Sequence, residues 1–460
     1  MASSKPAVSF IGLGAMGFGM ATNLVNKGFA VTGFDVWAPT LERFRLAGGT
    51  SAATPADAVA EKPLCVVMVA TAQQAQSVLL QGDAPAVPAL PRGATLLMCS
   101  TVPAAFVQGL ARQLVRLGRD DISLVDCPVS GGSARASQGT LSIMAGATDA
   151  AISNARALLQ AMSDPNKLYL VAGPDGIGAG SNLKMCHQVL AAVQILSASE
   201  ALGFASHLGL DLNKASAEIL RSDGASWMFE NRLPRLLAPN FKPIASAVTI
   251  ILKDAGIITS EARRYAFPTP MTTLAEQVFL TGLGRGWGAD DDASMLRLYS
   301  EGVGNVGNVG NVDRVNGQSR TQDEKLRLVV DLLRGIHLCS TAEAIAFASH
   351  VGLDLDQLFD LCTNAAGGSA MLNLYGPDMI KAFHAGRDYV ARGWAAEHGN
   401  GSGLGVILEG LQAAVDEAQL LKMPLFLGNQ ALSLMRLALR GDSNGQEGLA
   451  AAAVARMWVV

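Results

Sequence analysis

The chain has 460 residues, of which 50% are hydrophobic, and its formal net charge at pH 7 is -4. Its mean hydropathy is +0.28, yet no uninterrupted apolar run approaches the roughly 18 residues of a membrane span. The acidic balance supplies no basic surface for nucleic acid. We expect no signal peptide, because the first residues lead directly into a strand. Six widely spaced cysteines indicate buried, reduced thiols, so these features predict a cytoplasmic protein.

A glycine-rich turn follows the first predicted strand, at residues 7–11. Gly12-Leu13-Gly14-Ala15-Met16-Gly17 connects that strand to a predicted helix. This G-x-G-x-x-G spacing is typical of a dinucleotide site: Gly12 permits the turn, Gly14 lets a pyrophosphate approach, and Gly17 lets helix and strand pack closely. The phosphates bind the free N–H groups of the helix N-terminus. We assign all six residues to cofactor binding.

An acidic residue ends the second predicted strand, at residues 30–34. Asp35 follows that strand, about twenty residues after the glycines, where the dinucleotide fingerprint has an acidic residue. Its carboxylate can accept both ribose hydroxyls and repels a 2′-phosphate. Val36 and Trp37 come next, where an NADP enzyme usually has arginine. The sequence therefore favours NAD over NADP.

Two further apolar runs, residues 65–70 and 95–99, are predicted strands buried on both faces. Thr101 follows the second run, at the edge where open α/β sheets bind ligands. We place Val69, Ala70 and Thr101 in the cofactor site. Alternating strands and helices to about residue 175 predict an α/β Rossmann domain with a doubly wound parallel sheet.

Four motifs in order carry a resemblance to a known family. They are the glycine turn, Ser100-Thr101, the run Asp126-Cys127-Pro128-Val129-Ser130-Gly131-Gly132, and the stretch around Lys184. Together they resemble the β-hydroxyacid dehydrogenases, the 3-hydroxyisobutyrate dehydrogenase-like family, over residues 7 to 300. The resemblance implies that Ser130, Gly131 and Gly132 bind a substrate carboxylate, which also suits the chemistry of a serine hydroxyl beside glycine N–H groups.

Lys184 begins one face of a predicted helix, and Gln188 lies one turn later on that face. The family resemblance implies that Lys184 acts at the hydroxyl being oxidised, with Gln188 holding the lysine or the substrate. A lysine acts as acid/base when burial and a nearby cation lower its pKa from about 10.4. His187 is interpreted as a packed neighbour of Gln188, although a catalytic role stays open. The His187-Gln188 pair, where many relatives have asparagines, resembles the branch acting on four-carbon sugar acids, such as L-threonate dehydrogenases.

Lys253 closes a second apolar helical run and is followed by Asp254. In similar proteins the matching lysine reaches the cofactor and substrate pocket, where it could supply the nearby cation. Without the resemblance, an exposed Lys253–Asp254 pair would be the preferred interpretation. We assign Lys253 to the cofactor site.

The helical part of the sequence is repeated at an offset of 143 residues. The stretch at residues 201–212 recurs at residues 344–355, and Gly224, Ser226 and Met228 recur as Gly367, Ser369 and Met371. We call residues 176–300 the first helical copy and residues 321–460 the second helical copy. We predict that the chain consists of an NAD-binding Rossmann domain (1–175) followed by two all-α domains, of which the first is catalytic.

The second helical copy lacks the reactive residues. Arg327 stands in the position of Lys184 and Asp331 in that of Gln188, and a short insertion places Glu409 at Lys253. Arginine does not release a proton near neutral pH, so this copy is not a second active site. A Gly/Asn-rich repeat at residues 303–312 predicts a flexible linker over 301–320. We hypothesise that the second copy fills the place of a dimer partner's helical domain, although a homo-oligomer stays possible.

The sequence predicts NAD-dependent oxidation of a small hydroxy acid, without metal, nucleic acid or membrane. Two enzyme classes remain alternatives: 6-phosphogluconate dehydrogenase, which also has a duplicated helical domain, and 3-hydroxyisobutyrate or tartronate-semialdehyde-type dehydrogenases. Imine reductases share the fold but usually lack the lysine. A dinucleotide-binding scaffold protein is the alternative without catalysis, and Lys184 argues against it.

Overall fold

The computed structural model describes residues 5–172, 176–300, 320–386, 403–440 and 449–458. The chain forms two compact units, Met1–Met185 and Cys186–Val460. The dividing point lies inside one continuous helix. The predicted linker repeat at residues 303–312 lies outside the described residues, and the predicted domain boundaries stay a prediction.

The first unit contains a nine-stranded sheet. Its strands are β1 (Val8–Ile11), β2 (Val31–Phe34), β3 (Thr50–Ser51), β4 (Leu64–Val67), β5 (Thr95–Met98), β6 (Ser123–Asp126), β7 (Val129–Ser130), β8 (Leu141–Ala147) and β9 (Ser163–Ala172). The order is β3-β2-β1-β4-β5-β6-β8-β7, with β9 paired to β8. Strand order reverses beside β1, which is where such sheets bind ligands. The predicted Rossmann-type sheet is confirmed.

The sheet departs from the all-parallel prediction at one side. Strands β1 to β6 pair in parallel, whereas β8 runs antiparallel to both β6 and β7. Only a short helix (Gly132–Gln138), ended by Gly139 in a left-handed conformation, connects β7 to β8. A connection this short returns the chain antiparallel, because a parallel pair needs a crossover of about a dozen residues or more.

Helices cover both faces of the sheet. They are α1 (Gly17–Asn26), α2 (Ala38–Leu46), α3 (Pro55–Val59), α4 (Ala72–Gln76), α5 (Ala86–Ala89), α6 (Ala104–Arg116), α7 (Gly132–Gln138) and α8 (Asp149–Met162). Leu64 and Val66 belong to one apolar cluster, and Cys65 and Val67 belong to another. Successive strand side chains point to opposite faces, so each face of the sheet has its own core.

Helix α9 (Ala179–His207) begins against the end of strand β6. The buried carboxylate of Asp126 accepts hydrogen bonds from the Ser181 N–H and the Ser181 hydroxyl, each at 2.7 Å. Gly180 permits this close approach, because a Cβ there would lie 2.3 Å from the Met144 carbonyl oxygen. The first turn of α9 is therefore fixed to the sheet.

Helix α9 is also long and apolar enough to span a membrane by length and composition. Within the described residues it is the one helix that meets this test, and 94% of its most apolar window is buried inside the protein. That burial is typical of a core helix.

The second unit consists of helices in two series of the same order. After α9, the first series has α10 (Leu212–Ile219), α11 (Trp227–Leu236), α12 (Val248–Arg264), α13 (Pro270–Gly284) and α14 (Arg297–Ser300). The second has α15 (Gln322–His350), α16 (Leu355–Thr363), α17 (Ala370–Ala385), α18 (Leu404–Leu420) and α19 (Phe426–Arg440). Helices α9 and α15 each have 29 residues. The predicted helical region is confirmed, and this common order supports the predicted duplication.

The two copies pack on each other with approximate twofold symmetry. The Trp227 N–H donates to the Gly368 carbonyl at 2.9 Å, and the Ala370 N–H donates to the Ala225 carbonyl at 3.0 Å. Ser226 and Ser369, equivalent residues of the repeat, form the antiparallel bridge between these contacts. The repeat therefore builds a symmetric contact within one chain.

Two equivalent glutamates, one from each copy, add hydrogen bonds between the copies. Glu343 accepts from the Met271 and Thr272 N–H groups at 2.7 and 2.9 Å, at the start of α13. Glu200 accepts from the Leu427 and Gly428 N–H groups at 3.1 and 2.9 Å, at the start of α19. Each copy thus supplies a buried carboxylate that satisfies a helix N-terminus of the other copy.

We predict that Glu343→Ala destabilises the second unit by about 3 kcal/mol, because two buried N–H groups lose their acceptor. Urea denaturation of the intact chain measures the change. Glu409→Ala removes an exposed glutamate of the same unit and should change stability by less than about 0.5 kcal/mol. Equal effects of the two substitutions would contradict the role of Glu343.

Asp126 should make stability depend on pH. Burial raises the pKa of Asp126 to about 7, against the hydrogen bonds from Ser181. Between about pH 4 and 7 the folded chain therefore keeps a proton that the unfolded chain has released. This contribution to stability is present at low pH and is lost as pH rises through 7.

The substitution Asp126→Asn removes this titration while keeping a carbonyl oxygen for Ser181. We expect wild-type stability, relative to the variant, to fall by about 1 kcal/mol per pH unit between pH 5 and 7. Urea denaturation at several pH values measures this difference. Parallel pH profiles of the two proteins would contradict the assignment.

Candidate functional site

The glycine turn has the geometry that a dinucleotide site needs. Gly12 has φ +96°, and a Cβ there would lie 2.3 Å from the Met68 carbonyl oxygen. A Cβ on Gly17 would lie 2.0 Å from the Gly12 carbonyl oxygen, so both positions require glycine. Gly14 has no neighbouring atom within 4 Å of such a Cβ and is exposed beside Ala15. The backbone is therefore open where a pyrophosphate would approach.

Asp35 is tied to this turn by one backbone hydrogen bond and accepts a second one from its own loop. Its carboxylate accepts from the Leu13 N–H at 2.7 Å and from the Trp37 N–H at 2.8 Å. Val36 and Trp37 expose their side chains next to it. The turn and the carboxylate are thus held together at the ends of β1 and β2, an arrangement that fits the phosphates and ribose of NAD.

The ends of β4 and β5 complete this edge of the sheet. Val69 and Ala70 follow β4, and the Val69 N–H donates to the buried Ser100 hydroxyl at 2.8 Å. Thr101 follows Ser100 and is partly buried. Because β1, β4 and β5 are parallel neighbours, their carboxyl ends bring the predicted cofactor residues of this unit to one edge.

The predicted carboxylate-binding turn lies directly after β7. Gly131 has φ +138° and Gly132 has φ +73°, so both adopt backbone conformations that favour glycine. Ser130 is partly buried, and the two glycines are exposed. A serine hydroxyl thus lies beside accessible backbone N–H groups, as an anion-binding turn requires.

Lys184 lies in the first turns of α9 with only 5% of its surface exposed. Asp126 fixes this part of the helix through Ser181, three residues before Lys184. Asp126 also lies four residues before Ser130. The carboxylate that ends β6 therefore anchors the start of the lysine helix, and the chain reaches the predicted carboxylate-binding turn four residues later.

In the second unit, Asp254 brings together Gln188 and Lys253. The Gln188 Nε2 donates to Asp254 Oδ2 at 2.6 Å, and Lys253 Nζ lies 3.1 Å from Asp254 Oδ1. His187 Nδ1 lies 3.0 Å from Gln188 Oε1. His187 is fully buried, and this position agrees with its interpretation as a packed neighbour.

Sequence reasoning gave no role to Asp126 or to Asp254. Asp126 appeared only as the first residue of the third family motif, and Asp254 only as the neighbour of Lys253. Their partners lie 55 and 66 residues away in the chain. The sequence feature that could have indicated a role for them is a charged residue next to an apolar run, since a buried charge needs a partner.

The equivalent face of the second copy has different chemistry. Arg327 and Asp331 replace Lys184 and Gln188, and a Cβ on Gly410 would lie 2.7 Å from the Asp331 side chain. Asp331 instead pairs with Arg334 at 2.9 Å. The short insertion that aligns Glu409 with Lys253 also aligns Gly410 with Asp254, so the Gln188–Asp254 contact has no counterpart there.

Comparison with known families covers almost all of the chain. The sequence model described as "NAD binding domain of 6-phosphogluconate dehydrogenase" matches residues 7–173. The model described as "NAD-binding of NADP-dependent 3-hydroxyisobutyrate dehydrogenase" matches twice, at residues 178–299 and 322–457. The second match falls on the second helical copy.

Individual proteins give the same assignment. L-Threonate dehydrogenase of Cupriavidus necator is 37% identical over 292 residues, which are 64% of this chain and 95% of that protein. The crystal structure of 3-hydroxyisobutyrate dehydrogenase from Salmonella typhimurium is 29% identical with a TM-score of 0.58, covering 64% of this chain and 100% of that one. Plasmodium falciparum 6-phosphogluconate dehydrogenase is 15% identical with a TM-score of 0.67, covers 95% of this chain and 93% of that chain, and shows a common fold.

The open glycine turn, the carboxylate beside it and the lysine helix thus occur in a chain whose two parts both match this group of enzymes. The chain belongs to the β-hydroxyacid dehydrogenase family, the 3-hydroxyisobutyrate dehydrogenase-like enzymes, and is an NAD-dependent hydroxyacid dehydrogenase.

Proposed function

We propose that this enzyme oxidises a four-carbon sugar acid such as L-threonate, with Lys184 as the acid/base. The observation that carries the proposal is the position of Asp126. Its carboxylate holds the start of the Lys184 helix through Ser181. Asp126 itself lies four residues before Ser130 in the chain. The first unit thereby fixes a buried amine and an anion-binding turn through one residue. The 37% identity with an L-threonate dehydrogenase supports the substrate class.

The proposed reaction gives each residue one role. The Ser130 hydroxyl and the N–H groups of Gly131 and Gly132 bind the substrate carboxylate. Lys184, as the neutral amine, accepts the proton of the substrate hydroxyl, and it returns this proton in the reverse direction. NAD, when bound, supplies the acceptor for the hydride that leaves the same carbon.

Two residues of the second unit have supporting roles in the proposal. Gln188, one turn after Lys184 on α9, holds the substrate hydroxyl through its amide. Lys253 contributes a positive charge, balanced by Asp254. The location in the cytoplasm and the oligomeric state stay predictions.

The first test measures NADH and NADPH formation with L-threonate, D-erythronate, 3-hydroxyisobutyrate, glycerate and 6-phosphogluconate. We expect NAD reduction with a four-carbon acid. We expect Lys184→Met to lower kcat by about 10³-fold, because loss of a positioned acid/base costs about 10²–10⁴-fold.

The matched control is Arg327→Met, the equivalent position of the second copy, which should leave kcat unchanged. Activity that survives Lys184→Met would show that the acid/base is a different residue. NADP reduction with 6-phosphogluconate would contradict both the substrate and the cofactor preference.

The proposed preference for NAD over NADP depends on the charge of Asp35. We expect Asp35→Asn to lower the ratio of kcat/KM for NAD to that for NADP by about 10-fold or more. The carboxamide oxygen can still accept a backbone hydrogen bond, while the repulsion of a 2′-phosphate disappears. Asp83→Asn, which removes an exposed carboxylate of the same unit, is the control. An unchanged ratio in Asp35→Asn would contradict the role of Asp35.

A further inference from the structure

A chain of polar side chains in the second unit is centred on Asp254. His187 Nδ1 lies 3.0 Å from Gln188 Oε1, Gln188 Nε2 donates to Asp254 Oδ2 at 2.6 Å, and Asp254 Oδ1 lies 3.1 Å from Lys253 Nζ. His187, Gln188 and Asp254 are all buried, with at most 8% of any residue exposed. A buried carboxylate therefore contacts both Gln188 and Lys253.

The carboxylate determines which way the Gln188 amide points. An ionised carboxylate only accepts hydrogen bonds, so it can face the Nε2 end of the amide but repels the Oε1 end. With Nε2 held by Asp254, Oε1 faces His187. The amide oxygen can only accept, so this contact requires the His187 hydrogen on Nδ1. Asp254 thus fixes one amide orientation and, through it, one histidine tautomer.

The second helical copy provides an internal comparison. There Asp331 replaces Gln188 and Gly410 replaces Asp254, and the Asp331 carboxylate pairs with arginines instead. The Asp331 side chain occupies the space beside Gly410, where a Cβ would lie 2.7 Å from the Asp331 Cγ atom. The Gln188–Asp254 contact accompanies Lys184 in the first copy and is absent from the copy that lacks the lysine. Packing of these helices alone therefore does not require the contact.

We infer that Asp254 is a positioning residue of the oxidation: its carboxylate orients the Gln188 amide that holds the substrate hydroxyl. The inference rests on the proposed function for its effect on catalysis, while the orientation of the amide itself does not. Asp254 touches neither reacting atom in this assignment. It acts through Gln188. Because Asp254 also contacts Lys253, a substitution of Asp254 could instead affect kcat through Lys253, and an experiment can separate the two effects.

Asp254→Asn is the informative substitution. The carboxamide is nearly the same size and can bind Gln188 in either amide orientation, so the variant keeps the contact but loses the preference. We expect kcat with the best substrate to fall by about 10-fold, with KM for NAD and the melting temperature almost unchanged. Asp331→Asn, an equally buried aspartate of the second copy, should leave kcat unchanged.

A double-mutant cycle with Gln188→Ala separates the two routes. If Asp254 acts through Gln188, Asp254→Asn has no further effect on kcat once the glutamine is gone, because coupled residues are non-additive. A full additional loss in the double variant would overturn the inference and assign the effect to Lys253. A wild-type kcat in the single variant Asp254→Asn would overturn it as well.

A second measurement does not depend on catalysis. The chain has six histidines, and ¹⁵N spectra of histidine-labelled protein without cofactor report the tautomer of each ring. The His187 signal is identified by its loss in His187→Asn. We expect the Nδ1–H tautomer in wild type and an increased Nε2–H fraction in Asp254→Asn.

The two measurements separate the inference from the proposed function. The expected tautomer shift in a protein that oxidises none of the acids would support the orienting role of Asp254 and contradict the proposed function. An unchanged tautomer in an enzyme that oxidises a four-carbon acid would overturn the inference and leave the proposed function standing.

Discussion

The hydrogen bonds between the Asp126 carboxylate and Ser181 connect the sheet of the first unit to helix α9. A helix N-terminus has unpaired N–H groups, and a carboxylate is the acceptor that its dipole favours. Gly180 and Gly146 let the helix start lie against the backbone of β8 and the turn before α9. The position of Lys184 depends on this contact, because the lysine is one turn further along the same rigid helix. After Asp126, at the end of β6, the chain continues through β7 to the predicted carboxylate-binding residues Ser130, Gly131 and Gly132.

The second unit uses the same type of contact twice. Glu200 and Glu343 are equivalent residues on equivalent long helices, and each binds the start of a helix in the opposite copy. Burial raises the pKa of both carboxyls to about 7. Removal of the second copy would leave the start of α13 without its acceptor. This dependence gives a physical reason for a second copy that has kept its packing residues and lost its reactive ones.

The chemistry of the two copies is asymmetric although their packing is nearly symmetric. The contacts flanking Ser226 and Ser369 are made by equivalent residues of the two copies. Residues on the face of Lys184 do not: lysine is replaced by arginine, glutamine by aspartate and aspartate by glycine. An arginine cannot exchange a proton near neutral pH, and the Asp331 carboxylate of the second copy is neutralised by Arg334. On the same helices, the residues that pack the two copies together are therefore alike in both copies, whereas the residues on the face of Lys184 differ.

The sequence by itself determined the fold class, the cofactor turn and the repeat. These features are local or periodic: the spacing of Gly12, Gly14 and Gly17 reflects backbone conformations within one turn, and the strands are continuous apolar runs. It also singled out Lys184 and Gln188 for catalysis and Lys253 for the cofactor site, and these roles stay predictions. The antiparallel β8 was missed, because the pairing partner of a strand is not encoded in its own hydrophobic pattern.

Only the tertiary structure decided which buried charges meet which partners. Asp126 and Ser181 are 55 residues apart in the chain, Gln188 and Asp254 are 66 apart, and Glu200 and Gly428 are 228 apart. No spacing rule links residues at such separations, since the contact depends on how complete helices and strands pack. The sequence shows that a residue carries a carboxylate, but it does not show the partner of that carboxylate. The fold alone determines whether that charge binds a helix end, orients an amide or faces solvent.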